Sequence, residues 1–190
     1  MRTCFSLLIL LSSGWADAQQ GVRQVDFKNF TYPLSGPTLG HGSLRWLDPK
    51  KPGHVRLVDG KDSPKSPGFT LRSVKFAEVT GDGKEDAIVT VHLDTGGTQQ
   101  TDYVYIYSFD GKPKLMAYCH TGDRGYSGLY KVDGEKGKLV VELFDPNKIQ
   151  GDCCSSGLVR TRYEWKNGRF EVSGAQEFIE YKPEEARESQ

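Results

Sequence analysis

The sequence predicts an all-β fold, an antiparallel hairpin meander whose curved sheet is a partly closed barrel or propeller-like. Three observations carry this. Four glycine-containing turn signals recur between β-rich runs. The runs alternate in polarity with the period of two expected of strands. The composition, with 22 glycines and 11% aromatic residues, suits short strands joined by tight turns.

The elements follow in chain order. Residues 1–18 read as a signal peptide: Arg2 supplies the positive start, Cys4 to Leu11 the apolar run, and Ala16-Asp17-Ala18 the small-x-small cleavage site. That run is far shorter than the roughly 20 residues needed to span a bilayer, so no membrane span is expected after processing. Cys4 stands at the start of the run, not beside the cleavage site where lipidation would need it. A released chain starting near Gln19 follows, secreted or periplasmic. Its 25 basic and 25 acidic residues balance, which argues against nucleic acid or anionic lipid as partner.

Residues 19–68 hold a first strand, Val25 to Tyr32, and a Pro/Gly-rich segment, Pro33 to Gly68, with six of the nine prolines. Short strands are expected within that segment at Gly42–Leu47 and His54–Val58; the rest reads as a lid or a surface loop. Residues 69–178 form the hairpin domain. Its turns are expected at Gly81-Asp82-Gly83, Asp110-Gly111, Asp133-Gly134 and Asn167-Gly168. Tyr103 to Phe109 is apolar on both sides and predicts a central strand, whereas Val159 to Trp165 sets apolar residues against Arg160, Arg162 and Glu164. Residues 179–190 read as a flexible tail, with helix the only structure expected from Glu177 onward.

Glu78 to Ala87 resembles the acidic turn of FG-GAP/VCBS-type propeller repeats. Cys153-Cys154, followed by Tyr163-Glu164-Trp165 and Gly168-Arg169-Phe170, is similar to the signature of the LppP/LprE lipoprotein family. Those relatives are exported bacterial proteins of unknown role, so the resemblance implies export and β structure and nothing about mechanism. This chain departs from them in lacking a cysteine placed for lipidation.

Several constellations could carry chemistry. In the acidic turn, Glu78, Thr80, Asp82 and Asp86 fall near the ligand places of a calcium loop, which needs several oxygens around one hard cation. The alternative is a hairpin turn whose carboxylates bond backbone N–H groups. Calcium is the sole cofactor the sequence suggests. Adjacent cysteines lie about 3.8 Å apart at Cα, too close for an unstrained disulfide. Export therefore predicts a bond from Cys119 to Cys154 or Cys153, with one thiol left over. Zinc held by Cys119, His120, Cys153 and Cys154 lacks the usual C-x₂₋₄-C spacing. The histidines are His41, His54, His92 and His120, and no G-x-S-x-G or H-E-x-x-H stretch accompanies them.

The glycine-flanked connection His120 to Tyr126 carries Asp123, Arg124 and Tyr126, and with Arg160 and Arg162 it forms the candidate recognition surface. Its alternative is a solvated loop beside a sheet face with cross-strand ion pairs. The expected function is that of an exported non-enzymatic domain binding an envelope or extracellular protein or glycan. A calcium-dependent ligand-binding module and a secreted hydrolase are the alternatives.

Overall fold

The structure, a computed structural model, describes residues 21–35, 37, 39, 53–64, 67–123, 126–150 and 154–181. The signal peptide, the expected strand at Gly42–Leu47, Arg124, Cys153 and the end of the tail lie outside the described residues. Among those described, no helix is long and apolar enough to cross a membrane.

At the N-terminal end the chain departs from the expected single strand. Asp26 accepts hydrogen bonds from the Lys28 and Asn29 amides and caps a 3-10 turn over Phe27–Asn29. Satisfying those two donors locally removes them from any ladder. Only β1 (Thr31–Pro33) remains extended, paired antiparallel with β2 (His54–Arg56).

Then comes a four-stranded antiparallel sheet in sequence order: β3 (Gly68–Ala77), β4 (Asp86–Asp94), β5 (Gln100–Phe109) and β6 (Pro113–Asp123). β7 (Leu129–Glu135), β8 (Lys138–Phe144), β11 (Gly157–Lys166), β12 (Arg169–Val172) and β13 (Glu177–Glu180) build a second antiparallel sheet. Between them in sequence, β9 (Ile149–Gln150) and β10 (Cys154–Ser155) make a minimal hairpin. Both large sheets are open, and neither closes into a barrel among the described residues.

Three layers result. Ile88, Val104, Ile106, Ala117 and Cys119 face one way from the first sheet and meet Leu129, Val132, Leu139, Val141, Tyr163 and Phe170 of the second. The alternate residues Ala87, Val89, Val91, Tyr103, Tyr105 and Tyr107 face the other way, under Val22, Phe27, Tyr32, Val55 and Leu57. β4 and β5 therefore send successive side chains into two different cores. That is why Tyr103 to Phe109 reads as apolar on each side, and both strands are central in their sheet. The described part of the Pro/Gly-rich segment is thus a packed cover rather than a separate unit. It even crosses the sheet edge: the Tyr118 amide donates to Pro37 O at 2.7 Å, and Leu39 reaches the core on the opposite face.

Two further expectations are corrected. The third hairpin turns at Lys136-Gly137, where both residues have positive φ, and Asp133-Gly134 lies inside β7. Gly134 is needed there because a Cβ would stand 2.3 Å from the Ala77 Cβ. The tail begins not as helix but as β13, whose Glu177–Glu180 pairs with Gly157–Arg160 of β11.

Candidate functional site

The structure places a cleft of about 640 Å³ where the ends of β5 and β6 meet the connection to β7. That volume is in the range of small-ligand sites. Gln99, just before β5, and Thr101 within it line the cleft, with His120 to Asp123 from the end of β6, Tyr126 and Ser127 from the connection, and Pro146 from the turn after β8.

The connection is tightly built. The Gly122 amide donates to Ser127 O at 3.0 Å, and the Tyr126 amide donates to Asp123 O at 2.6 Å. No side chain fits at 122, since a Cβ there would lie 1.8 Å from the Tyr126 carbonyl oxygen. Ser127, buried, holds φ at 62°, a conformation costly for any residue with a Cβ. The outcome is that Tyr126, 59% exposed, is held out at the rim. Backbone strain of this kind gathers at functional sites. Ser127→Gly should relieve it and stabilise the fold by about 0.5–1 kcal/mol. A thermal melt would register a rise of a few degrees; an unchanged or lower midpoint would show that no strain is stored there.

The polar groups of the cleft differ in how they are occupied. Asp123 accepts the Gln100 amide on one carboxylate oxygen at 3.0 Å. Thr121, buried, accepts from the Asp102 amide at 3.2 Å and lies equally close to the Asp102 and Gly122 carbonyls. His120 stacks on Tyr103 with ring centroids 4.6 Å apart, and its ring forms no hydrogen bond with the described residues. Burial holds its pKa below the ordinary imidazole value, so it is neutral at physiological pH. It therefore offers one donor and one acceptor.

Behind Thr121 stands a second polar cluster. Asp102 meets His92 Nδ1 at 3.0 Å through one oxygen and the Arg72 guanidinium at 2.8 Å through the other. Arg72 occupies the β-bulge of β3 between Leu71 and Ser73, which lets it reach across two strands. This cluster anchors the strand ends that carry the cleft.

The acidic turn takes the form of a backbone-bonded hairpin loop. Glu78 accepts from the Gly81 amide and Asp82 from the Lys84 amide. Asp86, fully buried, accepts from the Val79 and Thr80 amides at 3.0 and 3.1 Å. Among the described residues no three His, Cys, Asp or Glu side chains are grouped to hold a metal ion.

Burial, partly offset by the bonds from Val79 and Thr80, pushes the Asp86 carboxyl up to about 6. An acid whose folded pKa is raised favours folding when protonated. Its contribution is complete below the unfolded value near 4 and is lost as pH rises through 6. Over that gap of about two pH units the loss is about 3 kcal/mol. Urea titrations from pH 4 to 7 should show wild type losing about that much relative to Asp86→Asn; parallel stability curves would refute the assignment.

Cys119 is a free thiol in this structure, and of its expected partners Cys153 and the Cys154 side chain lie outside the described residues. It lies in the core between the sheets, and burial pushes its thiol up to about 12, leaving it unreactive near neutral pH. Arg160 and Arg162 do not line the cleft. They lie on the outer face of β11, where Arg160 pairs with Glu142 at 2.7 Å and Arg162 with Glu177. Of the candidate recognition residues, the structure brings Asp123 and Tyr126 together and places the two arginines elsewhere.

Gln99, Thr101 and Pro146 reach the cleft from strands and turns distant in sequence, and no local signal marks them. Compared with family models, curated proteins and solved structures, the chain has no match.

Proposed function

We propose that this chain is an exported, non-enzymatic domain, secreted or periplasmic, that binds a partner through the Tyr126 cleft. One observation carries the reading: a large aromatic side chain is held exposed, at a cost in backbone strain, beside an open cleft. Tyrosine is favoured at recognition sites because it offers an apolar ring with a polar tip and little rotamer entropy to lose. Export rests on the N-terminal signal peptide and on the LppP/LprE-like stretch, whose Tyr163 and Phe170 are core residues here.

Immobilised full chain exposed to cell-surface extract should retain material that Tyr126→Ala fails to retain. The substituted side chain is exposed and belongs to neither core, so the variant should melt like wild type. Equal retention by the two proteins, or none by either, would overturn the proposal.

A further inference from the structure

We infer that the released chain starts at Gln19 and closes that residue to pyroglutamate, a modification that protects the N-terminal cover; this rests on the export reading proposed above. Cleavage after Ala16-Asp17-Ala18 makes Gln19 the first residue. A glutamine in that place carries both reactants of a ring closure. Its α-amine, with an ordinary pKa of about 8, is partly unprotonated at neutral pH and attacks the side-chain carbonyl. A bond forms between the α-nitrogen and Cδ, the bond from Cδ to Nε2 breaks, and ammonia leaves with the proton the amine gives up. Nothing is oxidised or reduced, and no co-reactant enters.

Gln19 lies outside the described residues, and the described fold is fastened from Gly21 onward. Gly21 is buried, and a Cβ there would overlap the Phe109 ring. Val22 is fully buried in the core beneath the cover. Arg23 donates to both Glu85 carboxylate oxygens, at 2.6 and 2.7 Å, and its guanidinium lies 4.6 Å over the Phe76 ring. These three residues hold the start of the cover against β3, β5 and the acidic turn. An exposed chain start is a site of proteolysis. An aminopeptidase acting on an open Gln19 has only Gln19 and Gln20 to remove before it reaches them. The lactam lacks the free α-amine that such an enzyme requires.

The full chain, expressed with its leader in an exporting bacterial host and recovered from periplasm or medium, provides the test after incubation at physiological pH and temperature. Its intact mass should equal residues 19–190 less one ammonia. Edman sequencing should find no free amine, and pyroglutamyl aminopeptidase should open the chain at Gln20. A free amine on Gln19, or a released chain starting at any other residue, would overturn the inference and leave export standing. A chain that keeps residues 1–18 would overturn the export reading itself.

Gln19→Ala tests the protective role, since alanine cannot form the ring. Aminopeptidase should trim this variant into Gly21–Arg23 and lower its melting midpoint, while wild type keeps its mass and midpoint. Equal trimming or equal resistance of the two proteins would overturn that role, as would trimming past Val22 with no change in midpoint.

Discussion

Replacing Tyr32 with alanine is expected to cost about 3–5 kcal/mol, a large share of the stability of a domain this size. Tyr32 is fully buried and is the central side chain of the N-terminal cover. Its ring sits 5.0 Å from Phe30 and 5.1 Å from Tyr105, and its hydroxyl donates to the Phe27 carbonyl at 2.6 Å. Alanine would open a cavity between cover and sheet and leave that carbonyl without its partner. Tyr32→Phe keeps the packing and should lose only about 1–2 kcal/mol. Urea unfolding of both variants provides the check. A loss below 1 kcal/mol for the alanine variant would mean that the cover is peripheral and that the two sheets hold the fold alone.

The cover is also where the sequence is hardest to read. Strand β5 was legible because Tyr103 to Phe109 is apolar on both sides, and only a strand buried on both faces needs that. In the N-terminal segment the alternation over Val25 to Tyr32 misleads, since its buried residues come from a capped turn, a three-residue strand and isolated loop positions. Local signals also misled where a tertiary contact outweighed them. Asp133-Gly134 is a better turn dipeptide than Lys136-Gly137, yet its glycine is used for the close approach of the second sheet.

The candidate site divides in the same way. His120 to Tyr126 stands out as a polar, glycine-flanked connection, so Asp123 and Tyr126 could be singled out from residue type. Gln99 and Thr101 arrive through cross-strand register, which is shifted between Thr101 and Tyr103. Arg160 and Arg162 share the residue types of a recognition surface, but Glu142 and Glu177, 18 and 17 residues from Arg160, draw them into a cross-strand ladder. The exposed pairs with Glu177 contribute about 0–1 kcal/mol each, whereas Glu142 is buried beneath Arg160.

Gly134→Ala is the second substitution expected to have a large effect, about 2–3 kcal/mol of destabilisation. The added Cβ would meet Ala77 Cβ at 2.3 Å and Val79 Cγ1 at 3.0 Å, so β3 and β7 must move apart where the two sheets touch. Neither neighbour can swing aside as a long flexible side chain could. Removing the Ala77 methyl leaves that residue's Cα at 3.7 Å, an ordinary contact, and the Val79 methyl at 3.0 Å as the one tight neighbour. The double variant Gly134→Ala, Ala77→Gly should therefore be more stable than the sum of its parts by about 1–2 kcal/mol. Ala77→Gly alone should lose under about 1 kcal/mol, from backbone entropy and a lost methyl. Denaturant unfolding of the four proteins closes the cycle. Strict additivity would place the cost of the alanine in β7 itself, and would remove the close approach of the sheets as the reason for a glycine at this position.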